Sequence, residues 1–205
     1  MCGRFVLISD VGKIAGEFAV SDINKTLAST GDIYPGQNCA CIIKEEAKNV
    51  LANLHWGFSP RWIKQKMQDK LLINARAETL ADKPTFRDAF QRRRCLIAAD
   101  GFYEWSAEKK PFYLYMQNKK PFGLAGIYEP AAADDTLASF VIITTEPNEL
   151  IAAMHKRMPV IIPAAQRSLW LDNSKYDPGK LLSLLIPYPA AEMAMRPAEF
   201  TARRI

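Results

Sequence analysis

The chemistry open to this chain begins at its second residue. Loss of Met1 would make Cys2 an N-terminal 1,2-aminothiol, whose amine and thiol can act together on one electrophilic carbon. Their reference pKa values, about 7.7 to 8.0 for the amine and about 8.5 for the thiol, leave part of each nucleophilic near neutrality. An aldehyde is the natural target: the amine forms a Schiff base, and the thiol closes onto the same carbon as a thiazolidine. Other groups able to move protons or hold anions are scattered along the chain. Asn74, Arg76 and Glu78 alternate, so an extended backbone would set all three on one face. Glu104 sits within Phe102-Tyr103-Glu104-Trp105, and His155 leads into Lys156-Arg157-Met158-Pro159. Each also has a plain structural reading: a strand-end carboxylate for Glu104, a helix C-terminal cap for His155, a turn or strand end for Asn74, and an ion pair between Arg76 and Glu78.

The elements that must carry these residues announce themselves locally. Arg4 to Ile8 predicts a short strand anchoring the N-terminus, and Asp10 is placed to cap a helix through Phe18. Tyr34-Pro35-Gly36-Gln37 predicts a turn, followed by a strand from Cys39 to Ile43 and a hairpin return from Val50 to Trp56. Gly57 and Pro60 end that run, and Arg61-Trp62-Ile63 is expected to be irregular or briefly helical. Pro84, with Phe86 and Phe90 at i,i+4, predicts a short helix leading to the arginine run Arg92-Arg93-Arg94. Cys95 to Ala99 reads as a buried strand, Phe112 to Met116, Phe122 to Tyr128 and Phe140 to Thr144 as further strands, and Asp134-Asp135 as a turn. Pro147 is expected to start a helix running to about His155, with more helices at Pro163 to Leu171 and Pro178 to Leu185. Strands dominate without repeating as βαβ units. That favours an α+β fold, a mixed and mostly antiparallel β core with short flanking helices, in a single domain over residues 1–205.

A 23.0 kDa chain with 49% hydrophobic residues and no long uncharged apolar stretch belongs among soluble globular proteins rather than membrane proteins. Its start lacks the basic, apolar and cleavage regions of a secretory signal, so an intracellular location is expected, in the cytoplasm or nucleoid of a bacterium. Cys2, Cys39, Cys41 and Cys95 show no CxxC spacing, and only His55 and His155 could assist them, which argues against structural zinc. Cys39 and Cys41 fall on one face of a strand, as packing residues would. With no GxGxxG, Walker A or HExxH motif, no cofactor is expected. Net charge is +5, and from Trp56 to Lys120 fourteen Lys/Arg face seven Asp/Glu. Such a segment attracts a polyanion or simply solvates a basic face.

Several separated motifs then occur together and in order: Met1-Cys2-Gly3-Arg4-Phe5, Tyr34-Pro35-Gly36-Gln37, Trp56-Gly57-Phe58-Ser59-Pro60, Ile73-Asn74-Ala75-Arg76-Ala77-Glu78-Thr79, Asp100-Gly101-Phe102-Tyr103-Glu104-Trp105 and His155-Lys156-Arg157-Met158-Pro159. In these the chain resembles the SRAP family, the SOS response-associated peptidase-like proteins that process abasic DNA. The resemblance implies a mixed fold around a positively charged groove, binding of single-stranded DNA, and a mature Cys2 that crosslinks to the ring-opened sugar aldehyde of an abasic site. It implies that Glu104 promotes ring opening and Schiff-base chemistry while His155 contacts the sugar-phosphate and assists proton movement or reversal. Around them Asn74 would position Cys2 and the opened sugar, Arg4, Arg76 and Arg157 would hold phosphates, and Glu78 would support the pocket. Trp62, Phe86 and Trp105 are stacking or wedge candidates beside the missing base, with core filling as their ordinary role, and Lys64, Lys66 and Arg92 to Arg94 would extend a phosphate track. One departure stands out. Family members commonly end in a proline-valine-serine and valine-asparagine pattern, whereas this chain has Met195-Arg196-Pro197-Ala198-Glu199-Phe200, which puts its terminal strand in question.

The expected function is therefore an abasic-site sensor that shields the lesion as a thiazolidine, with AP-lyase and self-processing peptidase activities implied by the same chemistry. Its partner would be single-stranded DNA containing abasic sites, with the protein a monomer, no membrane involved and any replication-associated partner left open. Two rivals use the same residues. An N-terminal-nucleophile cysteine peptidase or amidohydrolase would attack an amide with the Cys2 thiol, and a noncatalytic DNA-binding module would use Cys2 only for packing.

Overall fold

The computed structural model describes residues 2–21, 27–60, 71–131 and 138–199. In chain order its elements are β1 (Phe5–Leu7), α1 (Val11–Phe18), β2 (Gly31–Ile33), β3 (Asn38–Glu45), β4 (Lys48–Trp56), β5 (Asn74–Arg76), α2 (Pro84–Arg92), β6 (Arg94–Ala99) and β7 (Gly101–Trp105). There follow β8 (Pro111–Met116), β9 (Phe122–Glu129), β10 (Ser139–Thr145), α3 (Glu149–Ala152), β11 (Met158–Pro159), β12 (Ile161–Ile162), α4 (Arg167–Leu171), α5 (Pro178–Leu182) and β13 (Met193–Pro197). The α+β reading of the sequence holds.

Local signals account for much of this. The Asp10 carboxylate accepts from the Lys13 amide at 2.8 Å, satisfying a donor that the first turn of α1 would otherwise leave unpaired. Between β2 and β3 the turn is closed by the Gln37 amide on the Tyr34 carbonyl, and Gly36 takes a φ of +89° that a side chain would resist. Phe86 and Phe90 lie on the buried face of α2. At the end of β1 the Asp100 carboxylate accepts from the Ile8 and Ser9 amides, both at 2.7 Å, and from the Ser9 hydroxyl at 2.6 Å, which pins the strand that follows Cys2.

Two sheets share one apolar core. The first has five strands in the order β13-β8-β7-β1-β2; the second has eight, and within it β10, β4, β3, β6 and β9 close into a ring because β9 returns to β10. Closure removes exposed edges from the most apolar strands. β10 changes partners along its length: Ser139 and Phe140 pair with β4, whereas Ile142 to Thr144 pair, also in parallel, with β5. On its other side β9 gives way to β11.

Four expectations change. Pro147 does not begin α3; the Asn148 side chain does, accepting from the Ile151 amide at 3.1 Å, a bond the proline could not offer. Glu78 leaves the extended run, because Ala77–Thr79 turns as a 3₁₀ helix after β5. The divergent C-terminus nevertheless forms β13, antiparallel to β8 from Met193 to Pro197. Arg94 is wholly buried and donates to the carbonyls of Trp170, Phe90, Gln91, Asp172 and Lys175, while Arg93 pairs with Asp88 and Glu129, so the arginine run is mainly internal scaffolding. The expected turn at Asp134-Asp135 and the segment Arg61-Trp62-Ile63, with Lys64 and Lys66, lie outside the described residues.

Candidate active site

Both sheets contribute to one cluster. β1 pairs with β7 through Phe5 opposite Phe102, and the Tyr103 amide donates to the Arg4 carbonyl at 3.0 Å, so the same register sets Gly3 opposite Glu104 and brings Cys2 beside it. Along β7, Phe102 and Glu104 are buried whereas Tyr103 and Trp105 are half-buried, and this alternation turns the carboxylate inward. From the second sheet, the Asn74 amide nitrogen at the start of β5 donates to the Cys2 carbonyl at 3.0 Å. The Cys2 nitrogen is a peptide nitrogen while Met1 is attached, but the carbonyl that Asn74 holds is the same before and after Met1 is lost.

Burial dominates the electrostatics. Cys2 is 0% exposed and Glu104 2%. Burial pushes the Cys2 thiol up to about 12, with the Glu104 charge adding to the shift and the Arg4 backbone amide opposing it. The Glu104 carboxyl is raised for the same first reason, loss of water, with the positive charge of His155 among the groups pulling it back. A buried thiol thus keeps its proton at neutral pH until a base takes it, and the adjacent carboxyl holds a proton more readily than an exposed one. The Asn74 carbonyl oxygen is buried with no hydrogen-bond donor among the described residues, so it can accept from a ligand.

His155 follows α3 and is oriented by its neighbour. Its Nδ1 lies 3.0 Å from the Arg157 amide, which donates to it, and 2.9 Å from the Arg157 carbonyl. Either tautomer engages Nδ1 with the Arg157 backbone, which fixes the orientation of the ring. The Arg157 side chain is committed as well: its fork donates to both Glu78 oxygens at 2.6 and 2.9 Å, and Nη2 donates to the Thr144 carbonyl at 2.5 Å. Hydrogen bonding from Arg157 holds the Glu78 carboxyl below its ordinary range. Glu78 therefore pairs with Arg157, not with Arg76.

The three arginines expected on phosphate differ accordingly. Arg76 is exposed and makes no ion pair among the described residues. Arg4 donates to Asp32 at 2.5 Å with its guanidinium 4.9 Å from the Tyr34 ring centre and 4.6 Å from that of Tyr103. Sequence reasoning missed Asp32 and Thr144, the partners that occupy Arg4 and Arg157. Phe86 is a correction: at 6% exposure it packs against Phe58, ring centres 5.6 Å apart, because the i,i+4 spacing with Phe90 turns both toward the core. It offers no stacking face. Trp62 lies outside the described residues, and Trp105 is half-buried, 6.5 Å from Tyr103. Among the described residues no three His, Cys, Asp or Glu side chains gather as a metal site. A depression of about 450 Å³ opens beside His155, lined by residues 152–156, while a second cleft of about the same volume, bounded by Glu17, Lys120, Pro163, Arg167 and Tyr188, contains none of these groups.

The sequence model of the SOS response associated peptidase (SRAP) family matches residues 1–201. The chain is 38% identical over 201 residues to the abasic site processing protein YoqW of Bacillus subtilis, covering 94% of this chain and 90% of that one. It is 28% identical over 180 residues to the abasic site processing protein YedK of Escherichia coli, covering 83% and 79%. Among solved structures, a Bordetella bronchiseptica protein superposes with a TM-score of 0.85 at 24% identity, covering 97% of this chain and 100% of that one, a likeness of fold. A family match over nearly the whole length, carried by relatives this similar, means that the chain belongs to the SOS response associated peptidase (SRAP) family.

Proposed function

We infer that this protein processes abasic sites in single-stranded DNA, capturing the ring-opened sugar covalently through mature Cys2. The observation that carries this reading is the junction of Cys2 with Asn74 on its carbonyl and the raised Glu104 carboxyl alongside, with His155 acting on the same carboxyl. An abasic sugar is mostly a closed hemiacetal, so opening needs a proton on the ring oxygen and a base at the anomeric hydroxyl. Glu104 and His155 divide that work. The Cys2 amine then adds to the aldehyde carbon, the carbinolamine takes a proton from Glu104 and expels water to give an iminium, and the thiol sulfur bonds to the same carbon as its proton returns to the Glu104 carboxylate. The net change is one C–N and one C–S bond formed and one water lost. Arg76 holds the neighbouring phosphate without reading a base. The protein acts as a monomer, and β-elimination from the iminium competes with ring closure.

Intact-protein mass before and after incubation with abasic and undamaged oligonucleotides tests this. The expected product is protein without Met1 plus the abasic oligonucleotide minus one water, absent with undamaged DNA and absent when the amine is blocked. An acyl mass on Cys2 would point instead to the amidohydrolase reading. Binding with no adduct would leave a noncatalytic module.

A further inference from the structure

We propose that the outer face of the five-stranded sheet is a second contact surface for the same nucleic acid strand, on which bases flanking the lesion stack. This rests on the function proposed above and extends it. Glu104, Phe102 and Leu114 face inward; the residues between them do not. Arg196 stands opposite Tyr113 and Tyr113 opposite Tyr103, while Arg4 bonds through its carbonyl to the Tyr103 amide and lies against Tyr34. One row thus crosses the sheet: Tyr34, Arg4, Tyr103, Tyr113, Arg196.

The members touch in sequence. The Arg4 guanidinium is 4.6 Å from the Tyr103 ring centre, the Tyr103 and Tyr113 rings are 5.3 Å apart, and Arg196 is 5.3 Å from Tyr113. Tyr115 widens the row, stacked 5.5 Å from Tyr113 at 18°. A Cβ on Gly101 would come within 2.3 Å of the Tyr113 ring, so the absence of a side chain there lets that ring lie down against the sheet. Tyr34 and Arg196 are exposed, the other tyrosines are half-buried, and among the described residues no α-helix packs substantially on β7, β8 or β13.

The chemistry selects the occupant. Planar rings alternating with guanidinium planes stack on any base, and that sequence tolerance suits a protein whose target has lost its base. Two positive charges along the row, one of them paired with Asp32, complement a phosphate backbone on a chain of net charge +5. The surface is also continuous with the reaction centre, since Tyr103 and Trp105 flank Glu104 on one strand and Arg4 follows Cys2 by two residues. A strand whose damaged sugar sits at Cys2 passes the end of this sheet, where the row begins.

Binding of undamaged oligothymidylate of about four and about twenty nucleotides, measured by fluorescence anisotropy across salt concentrations, tests the proposal. For the long probe, Tyr113→Ala is expected to weaken binding by about 5-fold or more and Tyr113→Phe to restore it, while Arg196→Gln lowers the salt slope by about one. Neither variant changes binding of the short probe. Wild-type affinity for the long probe from folded Tyr113→Ala and Arg196→Gln would overturn the proposal and assign the row to sheet stability. So would equal wild-type affinity per site for both lengths. If Tyr113→Ala fails to fold, Tyr115→Ala and Arg196→Gln decide by the same criteria. Adduct formation by the wild-type protein with abasic DNA is scored separately, so failure of the proposed function is distinguishable from failure of this surface.

Discussion

Replacing Asn74 separates positioning from proton chemistry. Its side-chain nitrogen makes one 3.0 Å bond to the Cys2 carbonyl, a group that belongs to Cys2 and is not removed with Met1. A single neutral hydrogen bond contributes about 1 kcal/mol net, so Asn74→Ala should slow adduct formation by about 5- to 10-fold and cost a similar amount of stability. Asn74→Asp is the sharper change. When ionised, the new carboxylate has no proton to donate to the Cys2 carbonyl and adds a negative charge beside the Cys2 and Glu104 pair. Loss of the bond plus about 1 to 3 kcal/mol for an ill-matched buried group predicts a slowing of about 30- to 1000-fold near neutrality. When protonated, the same carboxyl can donate the bond again, so the deficit should shrink as pH falls. Single-turnover crosslinking to an abasic oligonucleotide, followed by intact mass across pH, measures both effects. Wild-type rates from Asn74→Asp at neutral pH, or a deficit that does not change with pH, would refute the assignment.

Glu104→Gln should slow crosslinking by about 100-fold or more while raising the melting temperature near neutral pH. Its carboxyl is raised by burial, so its favourable contribution is complete below its ordinary value and is lost as pH rises through the raised one; thermal melts of the two proteins should converge in acid. Glu78→Gln has the opposite sign: the depressed carboxyl stabilises above its ordinary 4.5 and that benefit disappears as pH falls through the lower folded value, so the melting difference from wild type should vanish in acid. Arg94→Met removes the donor to five backbone carbonyls and should cost about 3 to 5 kcal/mol in urea unfolding; a loss below about 1 kcal/mol would show those carbonyls to be satisfied otherwise.

What the sequence disclosed was what neighbours dictate. Asp10 before an apolar helix, Gly36 in a turn and Phe86 four residues before Phe90 each determine local conformation, and each element is where it was expected. The roles of charged side chains were harder to read, because their partners are remote. Glu78 and Arg157 are 79 residues apart, and Asn74 and Cys2 72. The alternation from Asn74 to Glu78 suggested one shared face, but a 3₁₀ turn broke it after Arg76, sent Glu78 to Arg157 and left Arg76 exposed. Phe86 is a stacking or wedge candidate by sequence because a missing base leaves a gap to fill; the helix it belongs to turns it to the core, its ordinary role, and packing decides.

The change of partners along β10 has a mechanical consequence. At Thr144 this strand grips Arg76 on one edge and Pro159 on the other, so Asn74, Arg76, Arg157 and His155 are slung from a common rail. Cys2 and Glu104 hang from the other sheet. Small displacements of the rail carry its four passengers together and preserve their mutual spacing. The two halves already meet through the Asn74 bond to Cys2, and a lesion held by both would add a second link between the sheets.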